Sequence, residues 1–210
     1  VVGSSESCAT AASIANKDTD FSDPRGLPMY LLPAATVFDE DWNKVEPKAG
    51  NRGVLAVTGT IPVGYYKAEQ KTAETMPIVD GVRYSRPGDW VEFQEDGSVI
   101  FLGRGNVCIN TGGEKVYPEE VEIVLRSHPD VADCLIVGVP DDKFGEAITA
   151  VIQLQPGAAG VEDEFKQHIR NKLADYKTPR HVVFVPEVFR SAAGKADYKM
   201  TRDHAVNVLS

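Results

Sequence analysis

The sequence predicts an α+β protein with two parts, a β-rich first part and a compact second part in which helices and strands alternate. The first part carries a hairpin signal in DWVEFQEDGSVIFLG, where apolar residues flank an Asp96-Gly97 turn. In the second part, amphipathic helical patterns alternate with continuous apolar runs. The character of the chain changes at GRGN, residues 103–106, which we take as the boundary.

The first part, residues 1–103, is predicted to be β-rich. GVLAVTG at 53–59 has strand composition, and the hairpin at 89–103 adds two more strands. Pro and Gly interrupt the TIPVGYY segment, which predicts a break between strands. Residues 104–106 then connect to the second part, residues 107–210.

The second part begins with a predicted helix in YPEEVEIVLRSHPD. Pro118 suits the first helical turn, and the glutamates after it suit the positive end of the helix dipole. Val121, Val124 and Leu125 form one apolar face, and Pro129 ends the pattern.

Two buried strands, a second helix and a last strand follow. VADCLIVGVPD and EAITAVIQLQP are apolar runs of strand character. VEDEFKQHIRNKLADY repeats apolar residues at Phe165, Ile169 and Leu173, with acidic residues leading and basic residues near its end. RHVVFVPE is the last strand, so the order from residue 115 onward is α-β-β-α-β.

Composition and charge restrict the possible functions. The chain has 210 residues, of which 42% are hydrophobic and 25% are charged, as in ordinary globular proteins. Its net charge of -9 argues against nucleic acid or an anionic membrane surface as the main partner. No run of about 18 apolar residues is present, so no transmembrane helix is expected.

The cysteines and the first residues indicate the cellular setting. Three widely spaced cysteines do not form a disulfide framework, which favours a reducing, cytoplasmic location. The opening VVGSSESCATAAS lacks a Met, a basic leader and a cleavage-site pattern. We therefore expect the chain to be part of a longer polypeptide.

Several common site motifs are absent from the sequence. GK at 194–195 is not a phosphate-binding P-loop, because position 189 is Phe and Ala196 replaces Ser or Thr. GRGNVC lacks the third glycine of a dinucleotide fingerprint, and neither CxxC nor HExxH occurs. The scattered histidines favour surface or packing roles over metal ligation.

Four short segments in a fixed order carry the functional signal. They are GSSE at 3–6, YSRPGD at 84–89, GRGNVCINTGGEKVYPEEVE at 103–122 and GK at 194–195. Together they resemble the C-terminal part of adenylate-forming (AMP-binding) enzymes, which include acyl-CoA synthetases, peptide-synthetase adenylation domains and luciferases. The resemblance extends along nearly the whole chain, and INTGGEKVYPEEVE is most similar to bacterial fatty-acyl-CoA synthetases.

The resemblance implies a division of roles between the two parts. Residues 1–103 would be the β-rich remnant of a large N-terminal AMP-binding domain, and residues 107–210 would be a small mobile lid domain. The family's phosphate loop and acyl pocket would lie upstream, in the N-terminal domain of the same polypeptide. We therefore expect the 210-residue chain to be inactive alone.

The resemblance also implies a two-step ligase reaction. A carboxylic acid, here expected to be a fatty acid, attacks the α-phosphate of ATP and releases pyrophosphate, with Mg²⁺ accompanying the nucleotide. The thiol of coenzyme A then attacks the acyl-adenylate and AMP leaves. Such chemistry depends mainly on positioning and on charge stabilisation.

The nucleotide site residues follow from positions that match the family's motifs. Asp89 would bind the ribose hydroxyls, while Ser5 and Arg104 would contact the nucleotide. Glu6 would help to hold Mg²⁺. Lys195 would be the catalytic residue, neutralising charge shared by the carboxylate and the α-phosphate, although an exposed lysine beside glycine also suits a solubilising role.

The remaining predicted residues concern the movement of the lid. Asn106 matches the hinge position, where the backbone must absorb a large change in dihedral angles. Gly112, Gly113 and Lys115 match the loop that lines the path of coenzyme A in the thioester-forming state. The glycines also suit a tight turn, and Lys115 also suits an exposed surface.

Two other functions stay open on the sequence alone. The chain could be a non-catalytic module that binds a nucleotide or a partner, or a ligase that loads a carrier protein instead of free coenzyme A. INTGGEKVYPEEVE favours coenzyme A over a carrier. The acyl chain length, the oligomeric state and the pathway are not predicted.

Overall fold

The structure is a computed structural model that describes residues 2–13 and 27–210. It divides into two compact units, Val1–Gly105 and Asn106–Ser210. The division falls within residues 104–106, where we expected the connection, and the roles assigned to the two parts stay predictions. None of the helices described is long and apolar enough to cross a membrane.

The first unit is built mainly from strands. Its elements are β1 (Val2–Ser4), β2 (Cys8–Ala12), β3 (Tyr30–Leu31), β4 (Ala35–Phe38), β5 (Arg52–Thr58), α1 (Glu69–Thr75), β6 (Ile78–Val79), β7 (Val82–Ser85), β8 (Asp89–Phe93) and β9 (Val99–Arg104). β1, β2 and β3 form a small antiparallel sheet, and the other strands form a six-stranded sheet around β5.

The predicted hairpin is the β8–β9 pair of this larger sheet. Gly97 in its turn has a φ of 78°, and the Gln94 N–H donates to the Ser98 carbonyl at 2.8 Å. Helix α1 and the short strands of this unit other than β5, β8 and β9 were not predicted. Helix α1 has no buried residue, so its sequence lacks the apolar stripe by which a helix is recognised.

The second unit places helices on both faces of one sheet. Its elements are β10 (Ile109–Thr111), β11 (Glu114–Val116), α2 (Pro118–Arg126), β12 (Val131–Asp141), β13 (Gly145–Leu154), α3 (Glu162–Arg170), β14 (His181–Val185) and α4 (Tyr198–Leu209). The sheet order is β11-β10-β13-β12, and β14 pairs in parallel with β13. The two predicted buried strands therefore form one long antiparallel hairpin, β12–β13.

Alternate side chains of β12 pack into two different hydrophobic clusters. Cys134 packs with Phe165 of α3, in the cluster that also contains the apolar face of α2. Leu135 and Val137 pack in the other cluster, which contains Ala205 of α4. Helices on both faces explain why β12 is a continuous apolar run rather than an alternating one.

Two helices differ from the sequence prediction. Helix α3 ends at Arg170, so Leu173 lies beyond it and is only partly buried against the core. Helix α4 was missed because only Thr201 and Ala205 of its residues are buried. Small buried residues make no large apolar stripe, and the pattern of α4 therefore resembles that of a polar segment.

The core of the second unit also contains a buried ion pair. The Lys177 ammonium, which follows α3, donates a hydrogen bond to Glu120 on α2. Glu120 is 5% exposed and Lys177 is 8% exposed. Glu120 also accepts a hydrogen bond from the Tyr117 N–H at 3.3 Å, so this carboxylate joins the start of α2 to the segment after α3.

His168 on α3 should make the stability of the second unit depend on pH. Burial lowers the pKa of His168 below its ordinary 6.5; the charge of Lys172 and His128 also lowers it, while the hydrogen bond to the Val124 carbonyl opposes them. The unfolded chain therefore takes up a proton at higher pH than the folded chain does. Lowering the pH from about 7.5 to about 5 should reduce the free energy of unfolding, until the folded pKa is passed.

The variant His168→Gln removes this titration and serves as the reference. Urea unfolding at each pH, followed by the NMR methyl signal of buried Ile152, measures the second unit specifically. The stability advantage of wild type over the variant should shrink as the pH falls. An advantage that stays constant across the range would contradict the prediction.

Candidate functional site

Asp89 begins β8 at the end of YSRPGD and is held in place by the neighbouring strand. Its residue partner in the sheet is Arg104, the last residue of β9, and the Arg104 Nε donates to the Asp89 Oδ1 at 3.3 Å. Gly88, with a φ of 105°, precedes it and accepts a hydrogen bond from the Gly105 N–H at 3.0 Å. Only 4% of the Asp89 side chain is exposed, against 56% for Arg104.

The electrostatic environment of Asp89 is set by burial and by two charged neighbours. Burial raises the pKa of the Asp89 carboxyl, the Arg104 guanidinium opposes this effect, and the Glu6 carboxylate adds to it. The structure thus brings two other predicted site residues, Glu6 and Arg104, within electrostatic reach of Asp89. A carboxylate has about four acceptor positions, so one bond from Arg104 leaves capacity for a diol.

Glu6 lies in the turn between β1 and β2, together with the exposed Ser5. Its N–H donates to the Ser4 Oγ at 3.2 Å, and the Tyr65 hydroxyl donates to its Oε1 at 3.0 Å. Burial alone would raise the pKa of Glu6, but hydrogen bonds from Ser4, its own backbone and Tyr65, with the charge of Lys71, lower it. Glu6 is therefore ionised at neutral pH. Tyr65 was not predicted, because the sequence gives no sign that residues so far apart meet.

Gly112 and Gly113 form the two-residue turn of the β10–β11 hairpin. Their φ angles are 60° and 90°, which favours glycine at both positions of such a turn. The Gly112 N–H donates to the Phe144 carbonyl at 2.9 Å, and a Cβ at Gly112 would lie 3.2 Å from the Phe144 ring. The Arg180 guanidinium lies over the same ring, 3.6 Å from its centre.

Lys115 and Asn106 are the other residues predicted to act with this turn. Lys115 is exposed on β11, opposite Asn110 of β10. The backbone of Asn106 lies in the 3-10 turn Gly105–Val107, and its side chain lies outside what the structure describes. The hinge role of Asn106 stays a prediction.

Lys195 lies in a short loop that closes on itself. Arg190 and Ala196 pair as a β-bridge at its base. Within the loop, the Ser191 N–H donates to the Lys195 carbonyl at 2.8 Å, and the Gly194 N–H donates to the Ser191 carbonyl at 2.8 Å. The Lys195 N–H donates to the Ser191 Oγ at 3.2 Å, and Lys195 itself is exposed. The loop therefore presents an exposed ammonium from an ordered backbone.

The second unit matches a known family, and most of the chain matches known proteins. Residues 120–195 match the AMP-binding enzyme C-terminal domain, so the matched segment ends at Lys195. A medium/long-chain-fatty-acid–CoA/3-oxocholest-4-en-26-oate–CoA ligase of Mycobacterium tuberculosis (strain ATCC 25618 / H37Rv) is 54% identical over 167 residues. That match covers 80% of this chain but only 30% of the relative, so this chain corresponds to a minor part of the relative's length.

Solved structures of adenylate-forming enzymes share the fold. ATP-bound MatB from Rhodopseudomonas palustris is 30% identical with a TM-score of 0.73, over 86% of this chain and 36% of that one. The o-succinylbenzoate CoA synthetase MenE from Bacillus subtilis, in complex with the acyl-adenylate intermediate OSB-AMP, is 26% identical with a TM-score of 0.72. The latter match covers 82% of this chain and 34% of MenE. The chain belongs to the adenylate-forming, AMP-binding enzyme family, and its second unit carries the C-terminal domain of that family.

Proposed function

We propose that this chain is the ribose-binding and lid-forming portion of an AMP-forming acyl-CoA synthetase that acts on a fatty acid. The observation that carries the proposal is the buried Asp89 carboxylate, which is bonded to Arg104 and lies within electrostatic reach of the ionised Glu6. An anionic acceptor of this kind suits the two hydroxyls of a ribose. The names of the relatives support a fatty acid and coenzyme A as the other substrates.

The proposed reaction has two steps. First, a carboxylate oxygen of the fatty acid attacks the α-phosphorus of ATP, and the bond to the pyrophosphate oxygen breaks. Second, the sulfur of coenzyme A loses its thiol proton to solvent and attacks the acyl carbon, and the bond to the AMP oxygen breaks. Lys195 neutralises the charge that develops on the α-phosphate in the first step. The glycines at 112 and 113 lack side chains, so the pantetheine arm can approach the backbone closely in the second step.

Mg²⁺ fits the first unit through Glu6. This cation prefers oxygen ligands and is commonly held by one or two carboxylates together with substrate phosphates. Glu6 offers an ionised carboxylate in a turn with the exposed Ser5 hydroxyl. Within residues 2–13 and 27–210, no group of three or more His, Cys, Asp or Glu side chains gathers as a metal site, so Glu6 would share the ion with phosphate oxygens. When bound, the ion would offset phosphate charge.

The proposal includes a partner domain and a hinge. The phosphate loop and the acyl pocket would come from the N-terminal domain of the same polypeptide, so the 210-residue chain alone should not turn over. Asn106 would be the hinge about which the second unit moves between the two steps. Lys195 would serve the adenylation step, and Gly112, Gly113 and Lys115 would serve the thioester step.

The variant Asp89→Asn tests the ribose role in the full-length polypeptide that contains this chain. It keeps the size of the side chain and removes its charge, so kcat/KM for ATP should fall about 10- to 100-fold, mainly through KM. Wild type should discriminate against 2′-deoxy-ATP more strongly than the variant does. Fatty-acid-dependent exchange of pyrophosphate into ATP is the measurement.

Glu92→Gln, three residues further along β8, is the matched control. It should change kcat/KM less than about twofold, because Glu92 forms an exposed ion pair with Arg52. No fatty-acid-dependent exchange in wild type would reject the proposed function. Exchange in wild type with an unchanged Asp89→Asn variant would reject only the ribose role.

A further inference from the structure

Arg190, five residues before Lys195, connects the sheet to the Lys195 loop. Its Nε and Nη2 donate to the two carboxylate oxygens of Asp133 at 2.7 and 3.0 Å. Its Nη1 donates to the Gly194 carbonyl at 3.1 Å. Because Gly194 directly precedes Lys195, one planar guanidinium ties β12 to the peptide beside the lysine. A guanidinium is rigid, so its two bonds to Asp133 fix the direction of the third bond, which holds the Gly194 carbonyl of the loop.

Asp133 is itself fixed by charged groups that lead into the core. The Arg126 Nε donates to the Asp133 Oδ1 at 3.0 Å, and the Arg126 Nη2 donates to Glu122 at 2.9 Å. Glu122 is 2% exposed and accepts the Ile136 N–H at 3.0 Å. The charges alternate in sign from Glu122 to Arg190, so each charge has an opposite neighbour. Burial would raise the pKa of Asp133, but hydrogen bonds from Arg190 and Arg126 lower it, which keeps this carboxylate ionised.

The other end of the loop reaches the same charged groups. The Asp197 N–H donates to the Phe189 carbonyl at 3.0 Å, and the Asp197 carboxylate caps α4 by accepting the Met200 N–H at 2.9 Å. The next residue, Tyr198, donates its hydroxyl to Glu122 at 3.4 Å. Both flanks of the Lys195 loop are therefore attached to one chain of ion pairs.

We propose that Arg190 is a positioning residue for Lys195, held in register by Asp133. It fixes the Gly194 carbonyl and thereby the point from which the Lys195 side chain extends. This inference rests on the proposed function, in which Lys195 neutralises charge during adenylation. A displacement of about 1 Å at a charge-stabilising group can lower a rate about 100-fold, so a loosened loop should slow adenylation without touching the second step.

The two half-reactions of the full-length polypeptide separate positioning from general damage. Arg190→Ala should lower kcat for ATP–pyrophosphate exchange about 10- to 100-fold, with KM values within about threefold. Thioester formation from preformed acyl-adenylate should fall less than about threefold. Arg190→Lys keeps the charge but not the three-bond fork, so its exchange rate should lie between wild type and Arg190→Ala.

Asp133 provides the second arm of the test. Asp133→Asn should lower exchange in the same direction, and the double variant Arg190→Ala/Asp133→Asn should be no worse than Arg190→Ala alone. Arg170→Ala is the matched control, because Arg170 pairs with the exposed Asp175 in the same unit. This control should leave both half-reactions unchanged.

The outcomes distinguish this inference from the proposed function. If wild type shows no fatty-acid-dependent exchange, the proposed function fails. If Lys195→Ala leaves exchange at the wild-type rate, the catalytic role of Lys195 fails, and the positioning role of Arg190 fails with it. If Lys195→Ala abolishes exchange while Arg190→Ala and Arg190→Lys behave as wild type, the positioning role is overturned. Equal loss of both half-reactions in Arg190→Lys would also overturn it, since that pattern indicates a structural defect of the unit. Should Arg190→Ala fail to fold, Arg190→Lys and Asp133→Asn carry the test.

Discussion

Lys195→Ala should lower ATP–pyrophosphate exchange by about 100-fold or more in the full-length polypeptide, and leave thioester formation within about threefold of wild type. Charge on the α-phosphate and the carboxylate has to be neutralised only in the first step, so only that step should lose the lysine's contribution. Exchange of labelled pyrophosphate measures the first step. Transfer from preformed acyl-adenylate to coenzyme A measures the second.

Lys172→Ala is the matched control for this variant. Lys172 is an exposed lysine of the same unit that donates to the Ser127 hydroxyl at 3.0 Å, away from the Lys195 loop in the sequence. Its removal should change neither step more than about twofold. Equal losses in both steps for Lys195→Ala would refute the separation of roles between Lys195 and the glycine turn.

Lys177→Met should lower the free energy of unfolding of the second unit by about 3–5 kcal/mol. The substitution keeps the length of the side chain but leaves the Glu120 carboxylate buried without its partner. Burying an uncompensated charge is among the larger single-residue penalties in a protein core. Protection of β13 amides against hydrogen exchange, measured on the chain at constant pH, reports the loss.

Two further variants test whether the lost pairing is the cause. Glu120→Leu/Lys177→Met removes both charges and should be less destabilised than Lys177→Met alone, because no unpaired charge stays in the core. Arg170→Met breaks the exposed pair with Asp175 and should cost less than about 1 kcal/mol. A double variant that is less stable than Lys177→Met would show that the ion pair is not the source of the effect.

The elements that could be predicted from the sequence are those that bury many large apolar side chains in a regular pattern. β12 and β13 are covered on both faces, so most of their residues are apolar and form continuous runs that the sequence shows directly. Helix α2 carries large apolar residues at helical spacing, with Pro118 at its start. Helix α4 buries only Thr201 and Ala205, and it packs on the apolar face of the sheet that contains Leu135 and Val137. This packing is a long-range contact, so the local sequence of α4 does not predict it.

The site shows the same division between local and distant information. Asp89, Arg104 and Lys195 lie in short motifs, and their predicted roles come from the resemblance of these ordered motifs to adenylate-forming enzymes. Tyr65 lies 59 residues from Glu6, and Arg190 lies 57 residues from Asp133. Charged and hydroxyl side chains at such separations are too common for their pairing to be predicted from one sequence. Folding brings them together, and these supporting contacts are what the structure adds.

The long strand β12 also separates the two loops to which the proposed function assigns the two half-reactions. Asp133, near its start, is tied through Arg190 to the Lys195 loop, and Phe144, just after its end, is tied to the glycine turn at Gly112. From Asp133 to Asp141 the strand extends roughly 26 Å at about 3.3 Å per residue. The two loops therefore lie at opposite ends of β12, and this strand is longer than a lysine side chain can reach. In the proposed reaction, an acyl group that stays in place can contact either the Lys195 loop or the glycine turn, but not both at the same time. With these proposed roles, the two steps cannot occur together, because β12 keeps the two loops apart.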